Sequence, residues 1–162
     1  MSVTIRPATV DDRESIRRIL VSTAIFREDE IAAALELLDR GLNVPRTDDF
    51  SVIVAAGTGK DSSTVHGYVL YGPMPKAEGV FDLYWIAVDP ARQGQGIGGL
   101  LLRFTEQEVR RQNGRLLLIE TSSRESYAPT MRFYTHSGYE EVSRVKDFHR
   151  IEDDKVILGK HL

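Results

Sequence analysis

The stretch from Val88 to Leu102, V-D-P-A-R-Q-G-Q-G-I-G-G-L-L-L, carries the residues best suited to chemistry. Gly94, Gly96, Gly98 and Gly99 lack side-chain bulk, and Ile97, Leu100, Leu101 and Phe104 follow at helical spacing. Backbone N–H groups bared in this way before a helix N-terminus can bind an anion, and the helix dipole favours negative charge there. A phosphorylated ligand is therefore the chemistry this spacing offers. Gly59-Lys60 offers none, because a phosphate loop ending there needs Gly where Val54 stands and Ser or Thr where Asp61 stands. His66, His136, His149 and His161 form no i,i+4 pair and no H-E-x-x-H, and the chain has no cysteine, so no metal site, thiol nucleophile or disulfide is expected.

Gly94, Gly96 and Gly99 also satisfy G-x-G-x-x-G, with Glu120 about twenty residues further on, which raises a nicotinamide or flavin oxidoreductase as one reading. Three features oppose it. Asp89 to Gln93 separate the glycines from the preceding strand. Too few residues follow for further strand-helix units, and the upstream elements look antiparallel.

The elements that position the loop follow from periodicity. Val3 to Arg6 is a short strand ended by Pro7; Thr9 and Asp12 resemble a capping box that opens a helix over Val10 to Thr23. After a break near Ile25 and Phe26, Ile31, Ala34, Leu35 and Leu38 mark a second amphipathic helix, with Gly41 at its C-terminus. Phe50 to Ala56 and Val65 to Tyr71 read as an antiparallel hairpin, and Phe81 to Val88 as a central strand covered on both faces, with Asp82 its exceptional acid. The glycine loop and a helix to about Asn113-Gly114 come next. Leu116 to Thr121 is then a strand, also covered on both faces, parallel to the previous one. Ala128 to His136 is a short helix entered through Pro129 and ended by Gly138, and Tyr139 to Phe148 and Lys155 to Leu158 are two last strands joined near Glu152-Asp153-Asp154.

A length of 162 residues with 41% hydrophobic and 28% charged suits one domain, residues 1–162, and the order β-α-α-β-β-β-α-β-α-β-β gives an α/β fold of the α+β type. The N-terminus has no apolar h-region and no window approaches the roughly 18 apolar residues of a membrane span, so a soluble, cytoplasmic protein without membrane partners is expected. The net charge of −3 argues against nucleic acid as a partner, although the segment from Pro90 to Arg115 holds five arginines against two glutamates.

Gln93-Gly94-Gln95-Gly96-Ile97-Gly98 matches Q/R-x-x-G-x-G/A, and Phe133-Tyr134-Thr135-His136-Ser137-Gly138-Tyr139 is similar to F-Y-x-x-x-G-F at the end of a last helix. On these motifs and on the element order, the chain resembles the GNAT superfamily of N-acetyltransferases over nearly its whole length. The resemblance implies a mixed, mainly antiparallel twisted sheet of six to seven strands flanked by helices. It also implies transfer of acetyl from acetyl-coenzyme A, bound as co-substrate, straight to a primary amine of a small molecule or peptide in a ternary complex.

Carried over residue by residue, the resemblance makes Gln93, Gly94, Gln95, Gly96, Ile97 and Gly98 the cradle for the pyrophosphate, with Gly99 allowing close packing. Ile86, Ala87 and Val88 would line the pantetheine arm on a strand that splays from the one ending near Thr121, and an amide near Ala87 or Val88 would polarise the thioester carbonyl. Tyr134 would be the general acid for the departing thiolate, its ring packing between Phe133 and Tyr139. The family often has Asn seven residues earlier, against the cofactor; here that position is Tyr127. Asp82 or Glu120 is the candidate base, with Glu78 a third. The acceptor pocket implied includes Phe26, Tyr68, Tyr71 and Phe148, with Asp147, Glu152, Asp153 and Asp154 suited to a cationic amine. Family members are often homodimers. A non-catalytic acyl-coenzyme A sensor remains the alternative function.

Overall fold

A computed structural model describes residues 2–43 and 50–162. The element order agrees with the periodicity: β1 (Thr4–Pro7), α1 (Arg13–Ser22), α2 (Glu28–Leu42), β2 (Ser51–Ala56), β3 (Val65–Pro73), β4 (Val80–Val88), α3 (Ile97–Arg111), β5 (Leu116–Ser122), α4 (Ala128–His136), β6 (Glu140–Arg150) and β7 (Asp153–His161). The seven strands form one sheet in the order β1-β2-β3-β4-β5-β7-β6. Pairings β1–β2, β2–β3, β5–β7 and β6–β7 are antiparallel, and β4–β5 is parallel.

The chain condenses into two compact units. The first comprises Met1–Gly72 and Tyr84–Gln107. Its core is Ile16, Ile19, Leu20, Ala34 and Leu38 on the inner faces of α1 and α2, packed on Val52, Val54, Tyr68 and Leu70 of the β2–β3 hairpin. The i, i+3, i+4 spacing of the helical residues meets the period-2 spacing of the strand residues there. Emptying one such leucine to alanine costs about 2–5 kcal/mol. Ahead of α1, the acid of the Thr9/Asp12 pair caps as expected: the Thr9 N–H donates to Asp12 Oδ2 at 2.8 Å. Arg6 grips the same carboxylate with both guanidinium NH2 groups at 2.8 and 2.9 Å.

One expectation here changes. Gly41 lies inside α2, which runs on to Leu42. A Cβ on Gly41 would sit 2.7 Å from Val52 Cγ2, so this glycine serves helix-to-strand contact and does not terminate the helix.

The second unit comprises Pro73–Leu83 and Glu108–Leu162. Phe81, Leu83, Leu117, Ile119, Val156 and Leu158 bury one face of its sheet. Expected cover on both faces of β5 is not found, because Leu116 and Leu118 are half-buried and Glu120 is exposed. β6 and β7 are longer than their apolar pattern, turning at Ile151-Glu152, so that Asp153 and Asp154 belong to β7. All eleven residues of β6 are exposed at the end of the sheet.

Candidate functional site

The loop between β4 and α3 is built by its own backbone bonds. The Asp89 N–H donates to His66 O at 2.8 Å, and the Asp89 carboxylate accepts the Ala91 N–H at 2.9 Å, which fixes the turn through Pro90. Gln93 Nε2 donates to Val88 O at 3.2 Å. Gly94 and Gly96 then take φ of +76° and +81°, a conformation that favours glycine, and a Cβ built on either meets no atom within 4 Å. Their shared property is open space above a positive-φ backbone. The first helical bond runs from the Leu100 N–H to Gly96 O at 3.0 Å. By helix geometry, the N–H groups of Ile97, Gly98 and Gly99 precede the intrahelical ladder and are left to solvent or ligand. Gln93 to Gly96 are exposed, whereas Ile97 is 4% exposed and anchors the helix start.

Close packing at this helix comes from a glycine that the motif does not contain. A Cβ on Gly99 would meet only the flexible Arg103 guanidinium, at 3.0 Å. One on Gly67 of β3 would meet Ala87 O at 3.0 Å, Leu101 Cδ1 at 3.2 Å and Ile97 Cγ2 at 3.3 Å. Gly67 therefore lets α3 lie against the strand pair that leads into the loop. Part of the positive charge read from the sequence sits elsewhere: Arg111 pairs with Glu108 at 2.5 Å, and Arg115 Nε donates to Glu78 O at 2.8 Å.

In the second unit, the parallel register of β4 with β5 runs from Val80↔Leu116 to Leu83↔Ile119, and β5 goes on pairing with β7 as far as Ser122↔Lys155. Since side chains alternate across a strand, Asp82, Leu118, Glu120 and Lys155 share one face. Asp82 is half-buried there. Desolvation by burial, and then the nearby Glu120 carboxylate, push its carboxyl up to about 6, while the Lys155 ammonium pulls the other way. Lys155 Nζ lies 3.2 Å from Glu120 Oε2 and 4.7 Å from the centre of the Phe148 ring.

Tyr134 is 2% exposed. Its ring packs 5.1 Å from Phe133 and, edge-on, 5.7 Å from Tyr139, and burial pushes its phenol up. Tyr127 is buried beneath the Arg124 guanidinium, which stacks 4.9 Å from the ring centre.

Phe26 packs edge-on to Trp85 at 5.2 Å, whereas Tyr68 is fully buried in the α1–α2 core with its hydroxyl unpartnered. Tyr71, three residues further along β3, points to the opposite face and is 3% exposed. Phe148 is 53% exposed on β6. Three of the four acids expected to suit a cationic amine build the hairpin end. Asp154 binds the Arg144 guanidinium at 2.8 Å and accepts the Asp147 N–H at 2.9 Å, Asp147 accepts the Glu152 N–H at 2.7 Å, and Asp153 accepts the Ser122 hydroxyl. Among the described residues no group of His, Asp and Glu is arranged to hold a metal, and no helix is long and apolar enough to cross a membrane.

Residues 48–141 match the family model for the acetyltransferase (GNAT) domain. The chain belongs to the GNAT acetyltransferase family. A crystal structure from Desulfovibrio desulfuricans, assigned to the same family, superposes with a TM-score of 0.90 at 38% identity, covering 99% of each chain. The ribosomal-protein-S18-alanine N-acetyltransferase of Escherichia coli gives a TM-score of 0.75 at 18% identity over 99% of this chain and 94% of that one. PaiA N-acetyltransferase from Thermoplasma acidophilum, solved with coenzyme A, gives 0.74 at 17% identity over 100% of both chains. A comparison with curated protein sequences finds no match. Membership in the GNAT family replaces the dinucleotide reading of Gly94, Gly96 and Gly99: a doubly wound fold needs a parallel sheet, and here β1–β2, β2–β3, β5–β7 and β6–β7 are antiparallel.

Two residues of this GNAT domain were missed by sequence reasoning. Gly67 carries no motif, and its only signal is a glycine inside an otherwise apolar strand, which marks close backbone approach. Lys155 stands 35 positions from Glu120, and only the β5–β7 register brings the two together.

Proposed function

We propose that the protein is an acetyl-coenzyme A-dependent N-acetyltransferase that passes the acetyl group directly to a primary amine of a small molecule or peptide. One observation carries this reading: the exposed Gln93–Gly96 turn keeps Gly94 and Gly96 at positive φ with empty space above them, at the start of a 15-residue helix. A pyrophosphate fits that space, bound by backbone N–H groups and the helix dipole. Ile86, Ala87 and Val88 offer backbone to the pantetheine arm, supported by a β4–β5 register that ends at Leu83↔Ile119.

In the reaction, the amine nitrogen bonds to the thioester carbonyl carbon, an amide near Ala87 or Val88 takes the oxyanion, and the C–S bond then breaks. The incoming ammonium must first lose a proton. Asp82 or Glu120 accepts it; Asp82, with its carboxyl raised to about 6, is ionised at neutral pH yet basic enough to do so. The departing thiolate takes a proton from the Tyr134 phenol, which burial holds in its acid form, and the second proton lost by the acylated nitrogen restores that phenol through solvent. Tyr127 is the further cofactor contact. Phe26, Tyr68, Tyr71 and Phe148 are the acceptor-side residues.

The test is binding followed by turnover. Coenzyme A is expected to raise the melting temperature and NAD(P) to leave it unchanged, and acetyl-coenzyme A is expected to be consumed with a member of a broad amine panel. Binding without any turnover would convert the reading to the sensor.

A further inference from the structure

Two carboxylates and one ammonium share the open face of the second unit, and the chemistry proposed above needs only one base. We propose that Lys155 is a positioning residue of the transfer site: its ammonium, held between the Glu120 carboxylate and the Phe148 ring, assigns the two acids distinct roles. Glu120 is the fixed ion-pair partner, and Asp82 is the carboxyl that exchanges its proton with the amine. The inference rests on the acetyltransferase reading, and it narrows the base from two candidates to one.

The geometry supports each part. Lys155 Nζ lies 3.2 Å from Glu120 Oε2, and its side chain is 23% exposed against 54% for Glu120, so the lysine is the more enclosed member of the pair. The Phe148 ring receives the same ammonium at 4.7 Å, within cation–π range. The β5–β7 ladder sets this meeting, because the Ser122↔Lys155 and Glu120↔Ile157 pairs place both side chains on the face that carries Asp82. The ion pair fixes the Glu120 carboxylate on Lys155. Asp82 has no such tie. The charged groups that act on it are Glu120 from β5, which favours its protonated form, and Lys155 from β7, which opposes it. Removing the ammonium therefore leaves the field of Glu120 uncompensated, and removing the Glu120 charge does the reverse.

The experiment is a ¹³C NMR titration of the Asp82 carboxyl in the ligand-free protein, run on the wild type, Lys155→Met, Lys155→Arg and Glu120→Gln. Lys155→Met is expected to move the Asp82 midpoint upward by about half a unit or more, Lys155→Arg to leave it near the wild-type position, and Glu120→Gln to move it downward. The acid limb of the kcat/KM profile should follow the midpoint, moving upward in Lys155→Met and staying near the wild-type position in Lys155→Arg. Shifts of the same sign in Lys155→Met and Glu120→Gln, or no shift in either, would overturn the assignment. A merely structural role predicts loss of melting temperature without opposed shifts. If Asp82→Asn keeps full turnover while the titrations behave as stated, it is the reading of Asp82 as base that fails, and the electrostatic coupling stands.

Discussion

Replacing Gly67 by alanine puts a methyl group 3.0 Å from Ala87 O, 3.2 Å from Leu101 Cδ1 and 3.3 Å from Ile97 Cγ2. The first contact is with backbone and cannot be relieved by a rotamer change. The other two anchor the start of α3, so the helix must lift by a few tenths of an ångström. Overpacking of this kind costs about 1–3 kcal/mol. Against that, alanine gains about 0.5–1 kcal/mol over glycine in a strand interior. A net loss of up to about 2.5 kcal/mol follows, which for a chain of this size lowers the melting temperature by up to roughly 10 °C. Thermal and urea unfolding measure it. Because the lifted helix carries the Gln93–Gly98 turn, coenzyme A should also bind more weakly. A Gly67→Ala protein as stable as the wild type, with unchanged coenzyme A affinity, would refute the claim that this contact seats the helix.

Three further outcomes are expected. Gly96→Ala places a side chain at φ +81° and should lose about 1–2 kcal/mol of stability, with a larger loss in coenzyme A affinity, read by calorimetry on both counts. Tyr134→Phe should keep coenzyme A binding and lower kcat by about 100-fold, the lower end of the usual general-acid contribution; equal rates would remove the phenol from the mechanism. For Asp82, the folded carboxyl titrates at about 6 against an ordinary 3.8, so the native state holds the proton through that window and stability falls as pH rises across it. Asp82→Asn should therefore be more stable than the wild type to urea at pH 7 and no more stable near pH 4, while losing most of its turnover.

Much of this was legible in the residues because the signals are local. The period-2 run of Phe81 to Val88 and the helical spacing of Ile97 to Phe104 each follow from which side chains face a core, and they set the element order. The open turn at Gly94 and Gly96 was legible for the same reason: the backbone conformation is encoded where it occurs. What escaped was non-local. Gly41 looked like a helix end because glycine commonly sits there, but the Val52 side chain across the interface is what requires it. Close packing against the strands belongs to Gly67, about thirty positions before the helical Gly99 and on β3. Asp147 and Asp154, suited by charge to a cationic amine, also hold the hairpin's own backbone, a use that only the turn between β6 and β7 reveals.

The most direct test of the account is the melting temperature of the protein titrated with coenzyme A and, in parallel, with NAD and NADP. A ligand at one hundred times its dissociation constant stabilises by about 2.7 kcal/mol, or roughly 5–10 °C for a chain of this size. That rise is expected with coenzyme A, is expected to be lost in Gly96→Ala, and is not expected with either dinucleotide. A protein that melts at the same temperature with and without saturating coenzyme A would contradict it.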